Sequence, residues 1–141
     1  MNEITGPDLC HCLAARRTAR FFTRIYDRHM AEASLSVSQF SLLAMLEAQP
    51  GITISALADA MVMERTTLVR GLKPLQAEGL IDSRAEGPRS ALRLFLNAAG
   101  EAKFREAEPY WQQAQEELEA ELGQDRAVGI RASLLAISSD S

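Results

Sequence analysis

The chain has 141 residues, 47% of them hydrophobic, and a formal net charge of −4 at pH 7. This length and apolar content predict a single folded domain with a buried core and exclude a disordered chain. No apolar run reaches the roughly 20 residues of a membrane-spanning helix, and the first residues lack the pattern of a signal peptide. We therefore expect a cytoplasmic protein with no membrane partner.

The charges are unevenly distributed along the chain. Residues 64–96 carry six cations and four acids, whereas residues 97–141 carry four cations and nine acids. Because local charge sets the field that a polyanion meets, we expect the middle segment to face nucleic acid even though the whole chain is acidic.

Three helices are predicted before residue 62. Apolar residues at helical spacing, with no Pro or Gly between them, predict a first helix over residues 8–33. Ser36 and Gln39 form a capping box that begins the second helix, which ends at Pro50-Gly51. Thr53 is then expected to cap a short third helix.

The segment MVMERTTLVRGLKPLQAEGLI (61–81) predicts a fourth helix that stops at Gly79. Its cations and hydroxyls are the candidate DNA-reading residues: Arg65, Thr66, Thr67, Arg70 and Lys73. Pro74 follows all five of them and interrupts the predicted helix. We expect Pro74 to bend the helix away from DNA and to mark the rear boundary of its reading half.

Two short strands, at residues 80–81 and 91–96, are predicted to form a hairpin around the turn sequence AEGPRS. The hairpin has three candidate DNA-contacting cations, Arg84, Arg89 and Arg93. Two more helices are predicted, at residues 97–123 and 125–137, and Gly100 and Pro109 are expected to weaken the first half of the longer one.

This order of elements is typical of a winged helix-turn-helix. In such a motif the second short helix enters the major groove and its N-terminal residues meet base edges. Arg65 has the donors to bind guanine bidentately, and a threonine reaches a base or a phosphate. The hairpin cations would reach phosphates or a narrow minor groove. The alternative interpretation is a solvated helix followed by an ordinary charged hairpin.

The stretch SQFSLLAML…ITISALADAMVMERTTLVRGLKPLQAEGLI resembles the DNA-binding core of the MarR family, and the resemblance extends from about residue 10 to 137. LFLNAAGEAKF occupies the family's leucine-threonine-x-x-glycine step into a long helix. The resemblance implies a mainly α (α+β) fold in one domain, 1–141. A winged helix-turn-helix lobe (36–96) with a two-stranded wing would join a dimerisation region made by the helices 8–33 and 97–138.

The resemblance also implies a function. It implies a homodimer that binds double-stranded DNA at a near-palindromic operator, as a repressor that a small aromatic ligand or an oxidant releases. The family's wing has an aspartate two residues before an arginine. Counted back from Asn97, which replaces the family's threonine, these positions hold Pro88 and Ser90. Arg89, between them, is expected to be the wing-tip cation, unless a shortened wing shifts the register.

The terminal helices have more apolar surface than one small lobe needs to cover: Leu118, Leu122, Val128, Ile130, Leu134, Leu135 and Ile137. We expect this surface to form a dimer interface; the alternative is that it covers the core of its own protomer. Arginines recur every four residues along the first helix, at Arg16, Arg20, Arg24 and Arg28, and the acidic last third supplies glutamates for a salt-bridged dimer seam.

The sequence CHC (10–12) allows three interpretations. A metal site is weakly supported, because the only other histidine is His29. A disulfide between Cys10 and Cys12 is disfavoured if both lie on a helix, where they would point about 200° apart. Peroxide-sensing members of the family use a cysteine early in the first helix, and Arg16-Arg17 would favour a reactive thiolate. The simpler alternative is that both cysteines pack as small apolar residues.

The family resemblance also implies a ligand pocket between the dimer helices and the DNA-binding lobe. Its candidate residues are Arg16, Phe22, Tyr26, Tyr110 and Trp111, with the arginine binding a carboxylate. The alternative is that these aromatic residues, which recur at helical spacing, belong to the hydrophobic core. The sequence has no Gly-rich phosphate loop and no metal-ligand set, so we expect no enzyme, no cofactor and no metal. The alternative function is a winged-helix assembly module without specific DNA binding.

Overall fold

Six helices and three short strands make up residues 3–139, the range that the computed structural model describes. The expected domain, 1–141, includes two residues at each end that lie outside this range. The elements are α1 (His11–Met30), α2 (Val37–Ala48), β1 (Ile52–Thr53), α3 (Ile54–Met61), α4 (Arg65–Ala77), β2 (Ile81–Arg84), β3 (Arg93–Leu96), α5 (Ala98–Leu122) and α6 (Gln124–Ser139).

The fold class is confirmed, but the wing belongs to a sheet of three strands rather than two. The strand order is β1-β3-β2, and both pairs are antiparallel. β1 has only two residues and directly precedes α3, so no alternating pattern could reveal it in the sequence. Its residues pair with Leu94 and Arg93 of β3, which joins the wing to the corner between α2 and α3.

The predicted helix starts are confirmed at two caps. The Ser36 hydroxyl accepts from the Gln39 amide at 3.1 Å while the Gln39 side chain accepts from the Ser36 amide at 2.9 Å. The Thr53 hydroxyl accepts from the Ala56 amide at 3.1 Å. These side chains bond amides that the first turn of each helix leaves unpaired.

The first helix is shorter than the predicted 8–33. A 3-10 turn, Gly6–Leu9, precedes α1, and a second, Ala31–Ala33, follows it. Cys10 is therefore not inside the helix. It is the extended N-cap of α1, and its sulfur accepts from the Leu13 amide at 3.3 Å. The expectation that both cysteines lie on the helix is therefore wrong, although Cys10 and Cys12 are free, as expected.

Both prolines expected to disturb helices lie inside continuous ones. α4 runs three residues past Pro74 to Ala77, so Pro74 is not the end of the helix. α5 runs through Pro109 without a break. The predicted stop at Gly79 is confirmed by its left-handed φ of 73°.

The core lies between α2, α3, α4, α5 and the inner face of the sheet. Its fully buried large side chains are Met30, Leu43, Leu46, Leu57, Leu68, Leu72, Leu75 and Leu94. Phe40 of α2 stacks on Phe104 of α5, with ring centroids 5.1 Å apart, and this contact fixes the long helix on the lobe. α6, by contrast, has no buried residue.

Candidate nucleic-acid interface

α4 has a buried face and an exposed cationic face. Leu68, Leu72 and Leu75 are at most 1% exposed, and they hold the helix on the core. Positions four and seven residues apart share a face of a helix. Thr66, Arg70 and Lys73 follow this spacing on the side opposite the leucines, and all three are exposed. Arg65 and Thr67 lie on the two flanks of that face.

Arg65 occupies the first residue of α4 and faces the wing. Together with Thr53, Ser55 and the segment 90–92, it lines a small surface pocket of about 260 Å³. The N-cap of α4, Glu64, makes no side-chain cap hydrogen bond, so its carboxylate leaves the first amides of the helix uncovered. The leading end of α4 is thus open on the side where the wing approaches.

Arg89 lies in the turn at the tip of the wing. The Ser90 amide donates to the Gly87 carbonyl at 3.1 Å, which closes a tight turn around Pro88 and Arg89. Arg89 is exposed. The structure therefore places this cation at the tip, the position expected from the sequence.

The other two wing cations, Arg84 and Arg93, lie on the strands rather than in the turn, and both have partners within the chain. Arg84 and Arg93 are directly opposite each other in the β2–β3 ladder. The Arg84 guanidinium carbon lies 4.5 Å from the ring centroid of Phe95. Arg93 Nη1 donates to the carbonyl oxygen of Gly51 at 3.0 Å. The Arg93 contact is not visible in the sequence, because Gly51 is brought to the wing by the pairing of β1 with β3.

None of the six cations of α4 and the wing forms an ion pair within residues 3–139. The cations with carboxylate partners lie elsewhere: Arg17, Arg28, Lys103 and Arg105. The face formed by α4 and the wing tip thus keeps its positive charge available to an external polyanion.

One of the arginines and one of the glutamates expected to pair between protomers form an ion pair within a single chain. Arg28 binds Glu117 of α5 at 2.9 Å, and His29 Nε2 lies 2.9 Å from the other oxygen of the same carboxylate. The hydrogen bond from His29 and the charge of Arg28 lower the pKa of Glu117. This cluster fastens α1 to α5.

The structure does not bring the five candidate pocket residues together. Phe22 and Tyr26 line a pocket of about 230 Å³ between α1, α5 and α6, where Glu119 and Arg131 are the charged residues. Burial and Glu119 raise the pKa of Tyr26, whose hydroxyl hydrogen-bonds Gln115. Trp111 lines a different groove of about 470 Å³, beside Phe40, Met45, Met61 and Phe104. Tyr110 packs on the core, and Arg16 lines neither cavity.

The two thiols are free and exposed. Arg17, expected to favour the thiolate, forms an ion pair with Asp8 at 3.0 Å. Within residues 3–139 no group of three or more histidine, cysteine or acidic residues is arranged to hold a metal ion. No helix in the same range is long and apolar enough to cross a membrane.

Comparison with known proteins gives consistent matches. The sequence profile of the MarR family matches residues 35–86. The structure of the M. tuberculosis transcriptional regulator MosR in complex with DNA is 32% identical, with a TM-score of 0.81 over 93% of this chain and 95% of that one.

Two more distant structures share the fold. One is the transcriptional repressor CouR bound to p-coumaroyl-CoA, 24% identical, with a TM-score of 0.80 over 96% of this chain and 98% of that one. The other is E. coli MarR in its apo form, 16% identical, with a TM-score of 0.73 over 91% of this chain and 96% of that one. No match was found among curated protein sequences.

Proposed function

The chain belongs to the MarR family and is a DNA-binding transcriptional regulator, and from this premise we propose that it is a homodimeric repressor that reads its operator with α4 and the wing tip. The observation that carries the proposal is the exposed face of α4, whose cations have no carboxylate partner in residues 3–139 and whose opposite face is fully buried. We propose that the protein binds DNA rather than catalysing a reaction. We also propose that it is cytoplasmic, because the genomic DNA that it would regulate lies there.

In the proposed complex α4 lies in the major groove. Thr66 and Arg70, on the exposed face of α4, contact base edges. Arg65, on the flank nearest the wing, is available to bind a guanine. Thr67 and Lys73 contact the sugar-phosphate backbone on either side. Arg89 reaches the neighbouring minor groove from the wing tip.

The surface of α6 supports dimerisation. Its apolar side chains lie in solvent in a single protomer: Val128 is 43% exposed, Leu134 49%, Leu135 60% and Ile137 76%. Such an apolar surface is costly to leave in water and marks an interaction site. A second copy packed on α1, α5 and α6 would cover it and present two α4 helices to two half-sites. We assign dimerisation to residues 8–33 and 97–138 and DNA binding to residues 36–96.

Operator selection from genomic DNA, followed by a salt titration, tests DNA reading. We expect a near-palindromic site whose affinity falls steeply as salt rises, and at least 10³-fold weaker binding to random duplex. Equal binding to both duplexes, or none at low salt, would instead support a winged-helix assembly module without specific DNA binding. A reporter gene downstream of the operator then separates repression from activation.

We propose the groove beside Trp111 as the site of a small aromatic effector. It is lined by stacked aromatic rings and two methionines, and it lies between the dimer helix α5 and the lobe helices α2 and α3. A ligand there would contact both the proposed dimerisation region, through α5, and the DNA-binding lobe, through α2 and α3. Thermal-shift screening of phenolic acids is the test: a ligand of this site raises the melting temperature of the wild type and not of Trp111→Ala.

Thiol oxidation is the second proposed route of release, and the exposure of Cys10 and Cys12 favours it. The thiolate sulfur of one cysteine would attack a peroxide oxygen and break the O–O bond, which gives a sulfenic acid and hydroxide, and the Cys10 cap of α1 would be altered. We expect peroxide to weaken operator binding, and Cys10→Ser or Cys12→Ser to abolish this response. A peroxide response that persists in both variants would eliminate this route.

A further inference from the structure

Arg84 and Arg93 form a cross-strand pair of like charges at the base of the wing. They are partners in the antiparallel ladder, so their side chains leave the same face of the sheet. Like charges placed directly opposite each other destabilise a strand pair. Since no carboxylate of residues 3–139 pairs with either arginine, other contacts must compensate the repulsion.

Those contacts hold the two guanidinium groups on different partners. Arg84 lies over the face of Phe95, which is two residues beyond Arg93 on the same strand face. Arg93 turns to the Gly51 carbonyl oxygen, to which it donates at 3.0 Å. A charged donor makes this bond stronger than one between neutral groups.

Gly51 makes two more contacts with the same strand. Its amide donates to the Leu94 carbonyl at 2.9 Å. Its φ of +86° favours glycine, and a β-carbon at this position would be 3.4 Å from two atoms of the Phe95 ring. We call Gly51, Arg84, Arg93 and Phe95 the Gly51 cluster.

The Gly51 cluster is connected to α4 through β1 and α3. β1 begins at the next residue, Ile52, and its second residue, Thr53, caps α3. α3 in turn packs against α4. A change in how β3 packs on Gly51 and β1 would therefore move the wing tip relative to α4.

From this geometry we infer that Arg93, through its hydrogen bond to Gly51, is a positioning residue that sets the angle of the wing to α4 without contacting DNA itself. The inference rests on the proposed function, since it assigns the DNA contact of the wing to Arg89. It also gives Arg89 and Arg93 different roles, DNA contact and positioning, which the sequence could not distinguish.

A double-mutant cycle measures whether Arg93 acts through Arg89. Arg93→Met alone is expected to weaken operator binding about tenfold, similarly to Arg89→Ala. In the Arg89→Ala background, Arg93→Met should have no more than about a twofold further effect, because the wing has no contact left to position. The control cycle pairs Arg93→Met with Arg70→Ala, and there the two effects should add.

Hydrogen exchange of the free protein tests the same contact without DNA. Arg93→Met should speed exchange of the Gly51 amide and of the β1–β3 amides by about tenfold or more, while Arg89→Ala leaves them unchanged. Phe95→Leu, which removes the ring from Gly51 and Arg84, should give the same exchange pattern by an independent change. Melting temperatures of all variants establish that they are folded.

Two results would overturn the inference. One is additivity of Arg93→Met and Arg89→Ala, which would make Arg93 a direct DNA contact. The other is unchanged exchange at Gly51 in Arg93→Met. If the wild-type protein bound no operator at all, the proposed function would fail, and the exchange experiment would still decide whether Arg93 holds the wing.

Discussion

Gly100 lies so close to Leu80 that a β-carbon added to the glycine would be 2.2 Å from the Leu80 carbonyl oxygen. That oxygen also accepts the Asn97 amide at 3.2 Å, and the Asn97 side chain caps α5 by accepting from Gly100. The start of α5 is thus in direct contact with the residue that precedes β2. The sequence suggested that Gly100 would weaken this helix, whereas the structure shows that its missing side chain lets the helix reach the lobe.

Gly100→Ala is expected to destabilise the protein by about 3 kcal/mol, the upper end of the usual cost of overpacking, because a backbone oxygen cannot move aside as a flexible side chain does. Gly71→Ala is the matched control. A β-carbon at Gly71 would be 3.8 Å from its nearest neighbour, an ordinary contact. The control should gain roughly 0.5–1 kcal/mol from the better helix former. Urea unfolding measures both, and equal stability of the two variants would contradict the prediction.

Arg70→Ala is expected to reduce operator affinity by about 1–3 kcal/mol and to relax selectivity at one base pair, since Arg70 lies on the face of α4 opposite the buried leucines. Arg126→Ala removes a charge from the first turns of α6, far along the chain from the lobe, and should leave affinity unchanged within about twofold. Fluorescence anisotropy with the selected operator and its point variants gives both values. Equal losses for the two variants would argue against a reading role for α4.

Leu135→Glu is expected to convert the dimer to a monomer at micromolar concentration. The side chain is 60% exposed in a single protomer, so a charge there costs the folded protomer little, whereas at an apolar interface it would be desolvated. Gln76→Glu adds the same charge to an exposed site on the DNA-binding lobe, outside the proposed dimerisation region, and should remain dimeric. Sedimentation velocity distinguishes the two states. A dimeric Leu135→Glu protein would place the interface elsewhere.

Replacement of Glu117 by Gln should lower stability at neutral pH, with a loss that disappears in acid. The pKa of Glu117 is lowered in the folded state, first by the hydrogen bond from His29 and further by Arg28. A lowered folded-state pKa contributes stability above the unfolded value, near 4.5, and this contribution is lost as the pH falls through the folded value. Urea midpoints from pH 7 to pH 3 should therefore converge for the two proteins. In a His29→Leu background the stability difference at pH 7 should be smaller and the convergence should be complete at a higher pH, because the folded-state pKa of Glu117 is then closer to its unfolded value.

Pro74→Ala restores an amide that can donate to the Arg70 carbonyl within a helix that already continues to Ala77. We expect the variant helix to straighten and operator affinity to change, because the cationic turns before Pro74 would shift relative to the wing. The crystal structure of the variant and its operator affinity provide the test. If both were unaltered, the proline would be merely tolerated.

Local signals in the sequence predicted much of the fold. Ser36, Gln39 and Thr53 cap helices as expected, because capping depends on residues three apart and not on the rest of the chain. The face of α4 was visible for the same reason, since helical spacing alone separates its leucines from its cations.

What the sequence could not show depends on contacts between distant segments. The pairing of Ile52 with Leu94 needs the whole lobe between them to fold, so β1 was missed and Arg93 was assigned to DNA without its Gly51 partner. Residue type alone groups the aromatic residues, whereas Phe22 and Trp111 line two separate cavities. The N-cap position of Cys10 was hidden because the apolar pattern extends beyond the helix itself.

The pairing of Ile52 with Leu94 also determines when the wing becomes attached to the rest of the lobe during synthesis. The two residues are separated by all of α3, α4 and the wing loop, so the pair closes a long loop, which is slow compared with the formation of a helix. A nascent chain that ends before β3 would contain every residue of α4 and still lack the strand that joins the wing to Gly51 and β1. The order of the elements along the chain thus makes the attachment of the wing, and with it the DNA contact proposed for Arg89, possible only after β3 has been synthesised.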